Sequence, residues 1–120
     1  FAVTIAIDKP EVRPGQPATI IVRGKNVGTS AGTMEFATGC LTTVEFLDES
    51  SRVVGALLEM CPQVLTTRTL APGDSLVSEH TWGRGRFDSP QLAPGRYQIR
   101  GVVLDSRALL RSPAVPLLVP

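Results

Sequence analysis

Residues 92–97 read Leu-Ala-Pro-Gly-Arg-Tyr, and the same tetrapeptide opens residues 70–75, Leu-Ala-Pro-Gly-Asp-Ser. Proline holds φ near −65° and the following glycine accepts a positive φ, as the two central positions of a type II turn require. Apolar and polar residues alternate after each copy, so each copy predicts a turn followed by a strand. Arg13, Pro14 and Gly15 precede a similar alternating run and form a looser third example.

Short runs of this kind continue along the chain, and none of them has helical periodicity. They lie at residues 3–7, 18–25, 33–37, 41–47, 52–58, 63–70, 75–82, 96–104 and 114–119. This pattern predicts an all-β fold, an immunoglobulin-like antiparallel β-sandwich of about 7–9 short strands. The length of 120 residues fits one such domain, residues 1–120.

Prolines mark the last predicted strand. Pro113 precedes it, Pro116 lies within it and Pro120 follows it. Because proline cannot donate a ladder hydrogen bond, we expect this strand at the edge of a sheet, with the prolines blocking further pairing. The alternative is an edge on which a partner strand docks.

The composition excludes several classes of partner. The net charge is only +1, which gives no electrostatic reason to expect nucleic acid or an anionic membrane as a partner. Pro, Gly or charged residues interrupt every apolar stretch, so we expect no membrane-spanning segment. The chain begins at Phe1 instead of Met, which fits either removal of a signal peptide or a domain cut from a longer protein.

Cys40 and Cys61 are the only cysteines, and they flank a predicted hairpin. A disulfide between them is the favoured interpretation, with two buried free thiols as the alternative. With His80 they offer at most three soft ligands at no recognised spacing, so we expect no metal. A disulfide favours an extracytoplasmic location (periplasmic, cell surface or secreted), or a cytoplasmic one if the chain comes from a thermophile or lacks the bond.

An enzyme is not expected from the inventory of residues. His80 is the only histidine, it alternates within a predicted strand, and no Gly-x-Ser-x-Gly elbow accompanies it. The carboxylates lie on predicted turns and outer faces without a spacing that suggests a shared acid and base, and we expect them to be solvated. We therefore predict no catalytic residues and no cofactor.

Two aromatic residues have predicted structural roles. Tyr97 follows the second Pro-Gly turn by two residues, as in the tyrosine corner, where the hydroxyl binds backbone a few residues upstream. Trp82 shares one face of its strand with Leu76, Ser78 and His80, which predicts a plug of the core or its rim.

The segment after Trp82 is the predicted partner-binding surface. Arg84, Arg86 and Phe87 lie among glycines between two predicted strands. Arginine and aromatic side chains are enriched in interaction surfaces, and Arg84 or Arg86 could pair with a partner carboxylate. The alternative is a solvated loop.

The order of these elements resembles a known family. A glycine, two strands joined by an Asp-containing turn, Leu-Ala-Pro-Gly-Asp-Ser before a strand ending in Trp82, and Pro-Gly-Arg-Tyr at residues 94–97 are similar to the intracellular proteinase inhibitors of bacilli. The resemblance covers residues 39–104. It implies an immunoglobulin-like sandwich and, from the founding member, inhibition of serine proteases; no reactive-site residue is carried over.

Two functions therefore compete. The preferred one is a non-catalytic, exported β-sandwich domain that binds another protein or forms part of a larger structure. The alternative is a proteinase inhibitor, whose partner would be a protease. The motifs that carry the resemblance are mostly turns, and turns report the fold more directly than the activity.

Overall fold

Strands alone make up the regular structure of the described part of the chain, residues 1–13, 15–57, 60–83 and 90–120 of a computed structural model. There are ten of them within these ranges: β1 Ala2–Ile7, β2 Ala18–Lys25, β3 Gly32–Phe36, β4 Thr42–Leu47, β5 Val53–Ala56, β6 Thr66–Leu70, β7 Ser75–Trp82, β8 Gly95–Val103, β9 Leu110–Arg111 and β10 Val115–Val119. No helix in these ranges could cross a bilayer.

The strands form three antiparallel sheets. One has the order β1-β2-β7, the second has the order β10-β8-β4-β5 with β9 also paired to β8, and β3 pairs with β6 alone. The all-β antiparallel prediction is confirmed. The additional strand is β9, whose two residues are too few to show any periodicity.

The core lies between the two larger sheets, which pack face to face. Buried and exposed residues alternate along β2 and β7, as expected when one face of a sheet is covered. The rings of Phe46 on β4 and Trp82 on β7 lie 4.9 Å apart between their centroids. Gly101 on β8 permits close approach, because a Cβ atom there would lie 2.8 Å from Cγ1 of Val22.

The three Pro-Gly segments differ in conformation. Gly73 has φ of +87°, and Asp74 N donates to Ala71 O at 3.0 Å, which is the predicted type II turn. Gly15 likewise has φ of +81°. Gly95 does not have a positive φ, and the type II turn predicted for the second tetrapeptide is wrong. The reason is that Gly95 already belongs to β8 and pairs with Val119, which requires an extended backbone.

The edge strand β10 lies at the end of its sheet, as its prolines predict. Its outer side is covered by the chain itself, since Val12 N donates to Leu118 O at 3.0 Å and Leu118 N donates to Pro10 O at 2.8 Å. Pro116, two residues from Leu118, faces the same outer side, so its missing N–H is not needed by β8. Residues of this chain therefore occupy the edge considered for a partner strand.

Candidate functional site

A disulfide joins the segment before β4 to the segment before β6. Cys40 and Cys61 form the expected bond, with their Cα atoms 5.2 Å apart. Beside it, Gly39 N donates to Pro62 O at 2.8 Å. We call residues 60–65 the clamped loop, because a covalent bond and a backbone hydrogen bond tie it to the segment before β4.

Gly39 also has a steric role in this clamp. A Cβ atom at this position would lie 2.9 Å from Cδ and 3.0 Å from Cγ of Pro62. Any other residue would push the proline ring away, so glycine is required for the two segments to lie this close. The clamp is therefore built from a disulfide, a hydrogen bond and a proline ring packed on a glycine.

The clamped loop turns its apolar side chains outward. Met60 is 99% exposed, Leu65 85% and Val64 59%. Scattered apolar residues on a surface are normal, but three within six consecutive residues on a fixed backbone are a local apolar surface. This combination of a fixed backbone and exposed apolar side chains is the candidate functional site.

Local hydrogen bonds shape the loop between the clamp and β6. Val64 N donates to Pro62 O at 2.9 Å, an i→i+2 bond of the γ-turn type. The hydroxyl of Thr66 donates to Val64 O at 3.2 Å. Thr66 is also the first residue of β6, where it pairs with Phe36 on β3. The loop is thus fixed at its far end as well.

This site is not among those that the sequence predicts. The alternation pattern predicts one strand over residues 63–70, whereas β6 begins only at Thr66. The available signal was the Cys61-Pro62 pair followed by adjacent apolar residues, Val64 and Leu65, which break the alternation that a half-buried strand requires.

The predicted partner-binding residues Arg84, Arg86 and Phe87 lie outside the described residues. Their role remains a prediction.

Trp82 and Tyr97 lie where they can tie loops to the core. Nε1 of Trp82, whose ring packs on Phe46, donates to Pro90 O at 3.0 Å. The hydroxyl of Tyr97 donates to Ala93 O at 2.6 Å, four residues upstream, which is the bond expected of a tyrosine corner.

His80 lies in the core. It is buried, and its Nε2 shares a 2.8 Å hydrogen bond with the hydroxyl of Thr42, which links β7 to β4 across the two sheets. Neither partner is a nucleophile in reach of solvent, because Thr42 is also buried. In the described ranges, no group of three or more His, Cys, Asp and Glu side chains is placed to hold a metal ion.

Two of the carboxylates that the sequence predicts to be solvated make ion pairs or hydrogen bonds within the fold. Oε1 of Glu45 lies 2.7 Å from Nε of Arg100 and 3.3 Å from Nε of Arg111, so this carboxylate is paired and half-buried. Asp48 closes the β4–β5 turn: its Oδ1 accepts the backbone N–H of Arg52 and of Ser50. These bonds, that from Arg52 foremost, lower the pKa of Asp48. Both roles are structural.

A family model decides the relationship of the chain. The model for BsuPI, described as intracellular proteinase inhibitor, matches residues 5–108. The chain belongs to this family. The match includes the clamped loop and every strand from β2 to β8. For this BsuPI-family chain, a comparison with curated proteins gives no match.

Solved structures share the fold of the BsuPI-family chain. A Pseudomonas fluorescens alkylpurine DNA glycosylase, AlkC, bound to DNA with an abasic-site analogue, has 9% identity and a TM-score of 0.59 over 98% of this chain. A β-glucosidase from Listeria innocua has 14% identity and a TM-score of 0.50 over 98% of this chain. The chain spans 30% and 16% of those two proteins. At such identities the likeness concerns the fold alone.

The family also corrects the expected location. The disulfide led to an extracytoplasmic expectation, and this expectation is wrong, because the BsuPI family is described as intracellular. Cysteine pairing reports the compartment of a protein only on average, so a single disulfide does not establish an oxidising compartment.

Proposed function

We propose that the chain is a proteinase inhibitor, a non-catalytic protein that binds a proteinase through its surface. The observation that carries this proposal is the match of the BsuPI family model to residues 5–108. It favours the alternative of the sequence analysis over an exported domain of general binding type.

The architecture supports this function physically. An inhibitor must present a surface that fits the enzyme without first having to be ordered, since each side chain and loop that becomes ordered on binding weakens the affinity. The clamped loop meets this requirement, because the disulfide and the pairing of Thr66 with Phe36 fix both of its sides. Proteinase–inhibitor interfaces of ordinary size bury about 800 Å² on each partner, so residues outside the clamped loop would also have to contact the enzyme.

A stoichiometric assay tests the proposal. Subtilisin, chymotrypsin, elastase and trypsin are each titrated with the intact protein at micromolar concentration, and the residual hydrolysis of a peptide substrate is followed. We expect at least one enzyme to lose activity in proportion to the inhibitor added. Full activity of all four enzymes would contradict the proposal.

A second candidate function has a specific observation in its favour. The same fold occurs as 30% of the glycosylase chain and 16% of the glucosidase chain, which fits a structural domain of a larger protein. This candidate predicts that the whole panel remains active, and the titration therefore separates the two functions.

A further inference from the structure

We propose that Leu65 is the residue that this protein inserts into the primary specificity pocket of its target, and that this pocket is apolar. The proposal rests on the proposed inhibitor function and adds the position and the chemistry of the contact.

The chemistry of the segment favours an apolar pocket. Residues 60–67 read Met-Cys-Pro-Gln-Val-Leu-Thr-Thr and contain no charged side chain; the first basic residue beyond them is Arg68 on β6. A pocket that carries a carboxylate requires Arg or Lys, whereas a hydrophobic slot accepts a leucine side chain. The clamped loop offers the second type of side chain.

The position of Leu65 favours it over its neighbours. It directly precedes Thr66, the first residue paired to β3, and it follows the clamp at Cys61 by four residues. Its backbone is therefore fixed on both sides while its side chain is 85% exposed. Val64 is less exposed, and its N–H and C=O both take part in bonds within the loop. Met60 has a longer unbranched side chain, which loses more freedom when it is held in a pocket.

The experiment compares four variants with the intact protein. Leu65→Ala removes the proposed contact, and Leu65→Arg changes its chemistry. Leu109→Ala makes the same deletion at a leucine that is 48% exposed elsewhere on the surface, and is the matched control. The double variant Arg84→Ala with Arg86→Ala removes the two arginines of the partner-binding surface that the sequence predicts. Inhibition constants are measured against chymotrypsin, subtilisin and trypsin, with a melting curve for each variant.

We expect the intact protein to inhibit chymotrypsin or subtilisin, and we expect Leu65→Ala to weaken this inhibition by about a hundredfold. A hydrophobic pocket already discriminates by about 10–200-fold against a side chain that lacks a single methylene. Leu65→Arg should lose the same inhibition and gain inhibition of trypsin. Leu109→Ala and the arginine pair should inhibit as the intact protein does. All melting curves should agree closely, since the substituted leucines are exposed.

Different outcomes overturn different statements. If the intact protein inhibits none of the enzymes in the titration panel, the proposed function fails. If it inhibits and Leu65→Ala matches Leu109→Ala, the function stands and the assignment of Leu65 is wrong. Loss of inhibition in the arginine pair alone would place the contact on Arg84 and Arg86. Inhibition of trypsin alone by the intact protein would refute the apolar pocket.

Discussion

The two ends of β6 are both tied down, but by different chemistry. At the Thr66 end, the clamped loop is held by the Cys40–Cys61 disulfide and leaves its apolar side chains in solvent. At the Leu70 end, the type II turn is held by Asn26, which is 5% exposed. Nδ2 of Asn26 donates to Ser30 O and Leu70 O, each at 2.9 Å, and its Oδ1 accepts the N–H of Gly28 at 2.9 Å.

This difference distinguishes the structural role of Asn26 from the binding role that we propose for the clamped loop. Asn26 satisfies backbone hydrogen-bonding groups of the turns around it, which is a requirement of the fold. The disulfide satisfies no such need, and the residues that it fixes are apolar and exposed. A constraint that holds an unfavourable surface in place is therefore better evidence of a binding site than a constraint alone.

The largest effect should follow from loss of the clamp. Cys40→Ala together with Cys61→Ala should lower the free energy of unfolding by about 3 kcal/mol, because the unfolded chain gains the entropy of an open loop. Urea titration measures this. Inhibition should also weaken, because the loop must then be ordered on binding. Unchanged inhibition would show that the clamp serves stability alone.

Asn26→Ala should have the next largest effect and should act on stability only. Three side-chain hydrogen bonds are lost in a buried position, and we expect a decrease of about 2 kcal/mol in the free energy of unfolding. Val27→Ala, at an exposed neighbour, is the control and should change little. If Asn26→Ala changed the inhibition constant of a still-folded protein, the proposed separation of roles would be wrong.

Tyr97→Phe tests the second tetrapeptide in the same way. It removes only the hydroxyl that binds Ala93 O, and the ring keeps its packing, so a loss of about 1 kcal/mol is expected. Thermal and urea unfolding measure it, and inhibition should not change. A decrease in the free energy of unfolding as large as that of Asn26→Ala would show that the hydroxyl of Tyr97 contributes more than one ordinary hydrogen bond.

The smallest expected effect is the dependence of the free energy of unfolding on acid pH, and it involves Asp105. Asp105 adjoins the segment that pairs with the outer edge of β3, where Ser106 N donates to Glu35 O at 2.7 Å. Burial raises the pKa of Asp105. The hydrogen bonds from the side chain and backbone of Arg107, together with its positive charge, lower this pKa by more than burial raises it, so the pKa lies below its ordinary value.

The sign of the pH dependence follows from this lowered pKa. The stabilisation is fully present above the ordinary pKa of 3.8 and is lost as the pH falls through the lower pKa of the folded state. Asp105→Asn should therefore lower the free energy of unfolding at neutral pH and make its fall in acid shallower. Urea titrations at neutral and acid pH measure both, and an unchanged slope would contradict the assignment.

The sequence predicts the strands well and the site poorly, for physical reasons. Alternation places β2 and β7 with correct ends, because their inner residues face one core. It fails at Gly95, where pairing with Val119 overrides the turn preference of Pro-Gly. It also fails at Val64 and Leu65, where the strand preference of the residue types outweighs the break in alternation as long as the disulfide and its neighbours are not yet placed.

The disulfide between Cys40 and Cys61 closes a covalent ring in the chain. Because of this ring, the number of fragments after proteolysis depends on where the peptide bond is cleaved. When a peptide bond between the two cysteines is broken, the disulfide still holds the two fragments together. When the bond after Leu65 is broken, both cysteines lie on the same fragment and the two fragments separate. On a denaturing gel without reductant, a cut after Met60 thus gives one species, and a cut after Leu65 gives two. Electrophoresis of the protein recovered from a proteinase complex therefore shows whether the bond that the enzyme attacks lies inside this ring or outside it.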